Sequence, residues 1–324
     1  MAEKYYAGID VGGTSAKIGL VNEKGEIKEK TGVPTKQTRN WKEILDDFMI
    51  PVKKWIESGI EIEAVGVGTP GYVNKKTGGM FGCENIPGFV HQPVLGYLKE
   101  KFDIPVFLDN DATCATIGEH LFGAGKEFSD YILVTIGTGI GGGLILNNKI
   151  YRGFDGYAGE IGHMIIQAEG RDCSCGNYGC IEPYSSASSM VKRIKDGIKK
   201  GYIDTYSDVN IDDINAKILF AKASDGDRYS LEAIDSACRY LGRMLGSVIN
   251  LLNLQTILIG GGVAASGDFL IDRIRFYTEQ VAWHTFTENL IILPAKLLND
   301  AGIMGAASLA ISEMKELDRV DNKS

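Results

Sequence analysis

Two stretches decide the fold: Tyr5-Tyr-Ala-Gly-Ile-Asp-Val-Gly-Gly-Thr-Ser-Ala-Lys-Ile-Gly-Leu-Val21 and Tyr131-Ile-Leu-Val-Thr-Ile-Gly-Thr-Gly-Ile-Gly-Gly-Gly-Leu-Ile-Leu146. In each, a short apolar strand runs into a glycine-rich tip and a second strand follows. The first reads as strand Tyr5–Ile9, tip Asp10–Lys17 and strand Ile18–Val21, closed by a turn at Asn22–Gly25. The second reads as strand Tyr131–Ile136, tip Gly137–Gly143 and strand Leu144–Leu146, then a turn at Asn147–Asn148 and a strand Lys149–Tyr151. Recurrence of one unit about 125 residues apart suggests two related domains, each offering a glycine hairpin.

The tips carry chemistry. Asp10-x-Gly12-Gly13-Thr14-x-x-Lys17 sets unobstructed backbone amides beside an acid, a hydroxyl and a base. Such a tip can receive phosphate oxygens on its N–H groups with Asp10 near Mg2+, or it can be a plain tight hairpin. Gly137–Gly143, with Thr138 and Gly139 at its apex, offers the same groups. It also spells the dinucleotide fingerprint Gly137-x-Gly139-x-x-Gly142, but that site needs a helix immediately afterwards. Leu144-Ile-Leu-Asn-Asn-Lys-Ile-Tyr151 reads as strand, turn and strand, which argues against it.

Between the hairpins, apolar spacing predicts a helix over Lys42–Ile56, a strand over Ala64–Val67, a helix over Pro93–Phe102 and a strand over Val106–Leu108. Asp109-Asn110-Asp111 then falls where a strand ends and a helix begins, the usual ligand position in an open α/β sheet. One of the two acids is expected to cap that helix, which runs to about Leu121. Asp111 is the candidate base. Asn110 and Asn85 are candidate hydroxyl partners, with Thr69 and Gly71 adding contacts from the preceding loop. Gly123–Gly125 reads as a domain crossing, dividing a small α/β domain, 1–122, from a larger one, 123–300. A helix over about 301–320 is expected to pack back on the first. The helical pattern of Tyr229–Leu252 leads into strand Thr256–Ile259 and the loop Gly260-Gly261-Gly262-Val263, and the tail after Lys315 is expected to fray.

Glu160-Ile-Gly-His163, nine residues and Cys173-Ser-Cys175-Gly-Asn-Tyr-Gly-Cys180-Ile-Glu182 bring three of the six cysteines beside a histidine. Four soft or borderline ligands at loop spacing, with Gly176 and Gly179 to let the backbone wrap, suit a closed tetrahedral Zn2+ site. Ordinary buried thiols or a redox pair are the alternatives, yet neither explains why Glu160 and Glu182 bracket the cluster. Those hard oxygens suit the hydroxyls of a polar substrate better than a zinc shell. Zinc would then hold a loop that presents Glu160, His163 and Glu182 to something rich in OH groups.

Composition narrows the class. Hydrophobic residues make up 44% and charged residues 23%, as in ordinary globular proteins, while 41 glycines imply many tight turns and close approaches. A net charge of -8 argues against a nucleic-acid surface, because phosphate affinity rests on clustered Lys and Arg. No apolar run reaches the ~20 residues of a membrane span, and the opening residues lack a signal-peptide pattern, so a cytoplasmic location with reduced thiols is expected. Cys83, Cys114 and Cys238 then read as core thiols.

In this order the motifs resemble the ROK family of bacterial repressors and sugar kinases, within the actin–hexokinase–Hsp70 fold group. They are Asp10–Lys17, Gly68–Gly71, Glu84–Gly88, Asp109–Ala112, Gly137–Gly143, Glu160–His163, the cysteine cluster with Glu182, and Gly260–Val263. The resemblance implies a two-domain α/β fold of the actin and hexokinase type, ribonuclease H-like, with a cleft between domains. It implies ATP-dependent phosphorylation of a hexose, glucose first, with an N-acylhexosamine kinase or a sugar-sensing repressor as rivals. A repressor would carry a helix-turn-helix before the first hairpin, and Asp10 leaves little room for one.

By the same resemblance Asp111 acts on the sugar 6-hydroxyl, and Gly71, Asn85, Asn110, Glu160, His163 and Glu182 contact the sugar. Asp10, Gly12, Gly13, Thr14, Lys17, Thr138 and Gly139 form the phosphate and Mg2+ region, and Gly261 and Gly262 lie on the nucleotide side. His163, Cys173, Cys175 and Cys180 hold structural Zn2+, His163 using its second nitrogen toward sugar. The implied partners are hexose and ATP, without nucleic acid or membrane, and a homodimer or higher homo-oligomer.

Overall fold

The computed structural model describes residues 3–74, 77–83, 86–264 and 268–321. Among them, no helix is long and apolar enough to cross a membrane. The chain divides into two compact units: residues 1–129, 143–159 and 299–324 form one, and residues 130–142 and 160–298 the other. Residues 143–159 therefore group with the first unit, whereas the sequence division places them in the second. The turn and strands that follow the second glycine tip leave the unit that holds the tip.

The first unit is built on a sheet of order β3-β2-β1-β4-β7. It comprises β1 (Tyr5–Val11), β2 (Ser15–Asn22), β3 (Ile27–Pro34), β4 (Ile62–Thr69) and β7 (Val106–Asn110), with the short pair β5 (Tyr72–Val73) and β6 (Met80–Phe81) apart. β1 pairs antiparallel with β2 and parallel with β4, which pairs parallel with β7. One face is covered by α1 (Trp41–Glu57) and α2 (Val94–Lys101), whose Ile44, Phe48, Met49 and Leu98 are buried in the main core. β3 escapes the sequence reading because it is a polar edge strand with mostly exposed residues, so no alternation marks it.

The other face is held by α10 (Ala301–Asp321) and α3 (Asp111–Phe122) at unusually short range. A Cβ added to Gly66 would lie 1.8 Å from the Ala306 carbonyl oxygen, and one on Gly8 would lie 2.3 Å from that of Ile303. On the helix side, a Cβ on Gly305 would meet the Cys114 carbonyl carbon at 2.6 Å. These glycines lie inside strands and a helix and are packing sites, where the backbone of α10 rests on strand backbone and on that of α3. α10 also continues to Asp321 instead of fraying after Lys315: its last turns are exposed, and good helix formers such as Glu316 and Leu317 sustain them without burial.

The second five-stranded sheet has the order β10-β9-β8-β11-β12. Its strands are β8 (Tyr131–Ile136), β9 (Ile140–Leu146), β10 (Lys149–Tyr151), β11 (Thr256–Gly260) and β12 (Ile291–Pro294), with β11 parallel to β8 and β12. Asn147 and Asn148 both have positive φ, 52° and 59°, the geometry of a two-residue hairpin turn. The strand β9 already begins at Ile140, within the glycine stretch, where a dinucleotide site would need a helix to follow.

The second unit also carries the helices α4 (Glu182–Ser185), α5 (Ala187–Lys199), α6 (Ala216–Ser224), α7 (Arg228–Leu252), α8 (Asp268–Glu279) and α9 (His284–Thr287). α7 starts at Asp227, whose carboxylate accepts from the Ser230 N–H, and ends at Asn253 in the left-handed region. Cys83, Cys114 and Cys238 are buried and form no disulfide among the described residues.

Candidate active site

In the first unit, the strand–helix junction sets the chemistry. Asn110, not an acid, is the helix cap: its Oδ1 accepts from Ala112 N–H at 2.9 Å and Thr113 N–H at 3.2 Å. This corrects the expectation that Asp109 or Asp111 caps α3. A neutral amide does both jobs, since its Nδ2 also donates to the Gly71 carbonyl at 3.0 Å, tying junction to loop. Asp111 is thereby left as the first residue of α3, with Oδ1 accepting from Ala112 N–H at 2.8 Å.

Asp111 is open to solvent by surface area, yet protein surrounds much of its carboxyl. Desolvation first, and then the charge of Asp10, raise its pKa to about 6, with backbone N–H groups opposing. Asp10 is itself raised by burial, and Lys17 opposes that shift. Its carboxylate lies against the first turn of α10, where a Cβ on Gly302 would fall 2.0 Å from Asp10 Oδ2. The tip after it is closed by a Gly12 N–H to Ser15 carbonyl bond of 3.1 Å and by Thr35 Oγ1 donating to the Gly12 carbonyl at 2.8 Å. Thr14 is exposed, and Lys17 Nζ reaches the Asn299 carbonyl at 3.4 Å.

One further acid is deeply placed. Asp109 is 1% exposed and accepts from Arg152 Nε at 3.0 Å, while Arg152 Nη2 donates to Glu313 Oε1 at 2.8 Å. Neither Arg152 nor Glu313 is prefigured by the sequence, because the partners stand 43 and 161 positions apart. Thr69 is buried, and Asn85 lies outside the described residues.

In the second unit, the Gly137–Gly143 tip is clasped from outside. Glu182 Oε2 accepts from the Ile140 N–H at 2.8 Å and lies where a Gly139 Cβ would stand, 2.3 Å from that position. Ala187 N–H bonds the Gly137 carbonyl at 2.9 Å. Gly162, between Glu160 and His163, is pressed against the Ile140 carbonyl, 2.1 Å from a built Cβ. Both predicted acidic segments therefore converge on the start of β9, and one oxygen of Glu182 is already engaged there.

Beside them, His163 Nδ1 lies 3.6 Å from Cys173 Sγ, and Cys175 Sγ lies 3.7 Å from Cys180 Sγ. All four ligand atoms fall within 4.8 Å of one another. Ligands at about 2.3 Å (S) and 2.0–2.1 Å (N) from one tetrahedral ion are about 3.5–3.8 Å apart, so the set fits zinc. Gly179 makes the wrap possible: its φ is 77°, and a Cβ there would lie 1.8 Å from the Gln167 carbonyl oxygen. Burial and the neighbouring thiols push Cys180 up to about 12, a cost that a bound dication would remove.

A cavity of about 760 Å3 adjoins both glycine loops of this unit, with Gly137, Thr138, Gly262 and Val263 on one side and Ala187, Val191 and Ile214 on the other. A larger one, about 960 Å3, shares Thr138, Ser188, Lys192 and Asp196 with it but is walled by Arg171, Lys200 and Tyr202 and lacks the Gly260–Val263 loop. The first has the apolar walls and backbone-lined end that suit a nucleoside and its phosphates. Gly261, with φ 85°, packs on Ile136, whereas Gly262 faces open space.

The sequence matches the ROK family over residues 6–313. The chain belongs to the ROK family. A glucokinase of Halalkalibacterium halodurans is 33% identical to it, covering 98% of each chain, and one of Thermotoga maritima is 32% identical over 93% of this chain and 96% of that one. Among solved structures, a ROK family glucokinase from Streptomyces griseus in complex with glucose and AMPPNP matches with a TM-score of 0.82 and 32% identity, covering 94% of this chain and 98% of that one. The chain has the two-domain, actin-like ATPase fold of ROK sugar kinases.

Proposed function

We propose that this protein transfers the γ-phosphoryl group of ATP to the 6-hydroxyl of a hexose, with glucose as the preferred acceptor. The observation that carries the reading is Asp111: a carboxylate fixed at the start of α3 by the Asn110 cap, raised to about 6, in a chain matched end to end by glucokinases. A base with that value is mostly ionised at neutral pH and still basic enough to accept a proton as the hydroxyl attacks phosphorus.

Each unit contributes distinct groups. Asn110 and Gly71, together with Asn85, bind sugar hydroxyls beside Asp111. Glu160, His163 and the Oε1 atom of Glu182 do so from the zinc segment, the other Glu182 oxygen being committed to Ile140. Asp10, Gly12, Gly13, Thr14 and Lys17 serve the phosphates and Mg2+ from the first hairpin, and Thr138 and Gly139 from the second. Asp10 and the first tip would hold Mg2+ together with ATP, and the ion would supply charge neutralisation at the phosphates. The nucleoside occupies the cavity of about 760 Å3 along Gly262 and Val263, with Gly261 shaping the loop from behind by packing on Ile136.

His163, Cys173, Cys175 and Cys180 hold a structural zinc, which fixes the segment carrying Glu160 and Glu182. His163 uses Nδ1 toward the cysteines, leaving Nε2 for a hydroxyl. ADP release measured with a panel of hexoses and N-acetylhexosamines tests the reading. Glucose should give the highest kcat/KM. A higher value for N-acetylglucosamine or N-acetylmannosamine would reassign the substrate, and no sugar-dependent ADP release would overturn the activity.

A further inference from the structure

We propose that Arg152 is a positioning residue for the base, acting through the buried carboxylate of Asp109; the inference rests on Asp111 being that base. The path is a run of hydrogen bonds within the first unit. Arg152 Nε donates to Asp109 Oδ2 at 3.0 Å, and Asp109 Oδ1 accepts from the Asn110 N–H at 3.0 Å. Asn110 then caps α3 and donates to the Gly71 carbonyl at 3.0 Å, so the orientation of Asp111 depends on where Asn110 stands. Glu313 of α10 holds the far side of the guanidinium at 2.8 Å, fixing the plane of the fork.

The arrangement asks for an explanation because Asp109 is 1% exposed and takes no part in capping. A carboxylate buried at the end of β7 is stable there only with a paired charge and satisfied oxygens. Arg152 supplies the charge and holds Asp109 Oδ2 while Oδ1 accepts from the Asn110 amide. Without it, Asp109 loses its paired charge and the hold on its side chain, and that loosens the amide on which the cap and the base are seated. Phosphoryl transfer is largely a matter of placement, and a shift of about 1 Å at such a site costs on the order of 10^2 in rate.

The competing account is a structural staple, in which Arg152 merely fastens its own segment to α10. Four variants of the full chain separate the two, each measured for kcat, KM for glucose and ATP, and Tm. Arg152→Met should lower kcat by about 30- to 100-fold with both KM values within about threefold. Asp109→Asn/Arg152→Met removes the stranded charge while Asn keeps an acceptor for the Asn110 amide, so it should recover kcat to within about fivefold of wild type. Arg152→Lys, which cannot span Asp109 and Glu313 with a fixed fork, should fall between, and it carries the test if Arg152→Met does not fold. A double variant no faster than Arg152→Met, or a folded Arg152→Met or Arg152→Lys with wild-type kcat, would overturn the proposal. Asp111→Asn is the independent control. If it kept wild-type turnover the base assignment would fail, whatever the Arg152 variants did.

Discussion

The two glycine hairpins share a plan and differ in what surrounds them. The first closes on itself, through Gly12, Ser15 and Thr35, and its chemistry is charge: Asp10 and Lys17 on the strands, Asp111 close enough for Asp10 to raise it. The second has an uncharged tip and is held by groups from elsewhere in its unit, the Glu182 carboxylate on Ile140 and the Ala187 amide on Gly137. Identical local sequence logic thus yields one hairpin that places charges and another that is itself placed, with the segment from Glu160 to Ala187 as its support.

The contrast can be broken most sharply on the charged side. Asp111→Ala should lower kcat by about 10^2–10^4 while glucose affinity by calorimetry changes little, because the hydroxyl contacts come from several other residues. Gly302→Ala should come next. A Cβ there overlaps Asp10 Oδ2 at 2.0 Å and Asp10 Cβ at 2.9 Å, so the short side chain has to leave its place, and kcat should drop about 10- to 100-fold in steady-state assays.

On the supported side, Cys175→Ser should abolish bound zinc by elemental analysis and weaken glucose binding strongly. Several hydroxyl contacts at about 0.5–1.5 kcal/mol each are lost together. ATP affinity should fall as well, by about three- to tenfold, because Glu182 lies two residues past Cys180 and holds the Ile140 amide. ATP affinity identical to wild type, with zinc gone, would show that the second hairpin does not depend on its clasp.

The smallest effect is in pH. The base works ionised, and its pKa is raised, so kcat/KM should climb as pH rises through about 6 and level off above. Asp10→Asn removes a like charge and should move that limb to lower pH. A limb that stays put would mean that burial alone sets Asp111.

Much of this was legible in the chain because the hairpins, the Asp109–Asp111 junction and the cysteine cluster are local patterns in which neighbours in sequence are neighbours in space. What was not legible depends on distant partners. Asn110 rather than an acid caps α3 because the amide also has to reach Gly71, a contact invisible in the tripeptide itself. Gly8 and Gly66 look like any other glycines until α10, more than 200 residues on from the strands, is laid against them, and Gly305 of α10 does so until α3 is laid against it. Arg152 sits in a segment that returns to the first unit, so nothing near it in sequence marks it as a partner of Asp109.

The central claim concerns one oxygen of one sugar, and the product identifies that oxygen. Purified protein incubated with 13C-glucose, ATP and Mg2+ and followed by 13C and 31P NMR should form a single sugar phosphate, with the phosphoryl group on the 6-oxygen and one ADP per phosphate transferred. Phosphate on any other oxygen, or ADP formed without a sugar phosphate, would contradict the account.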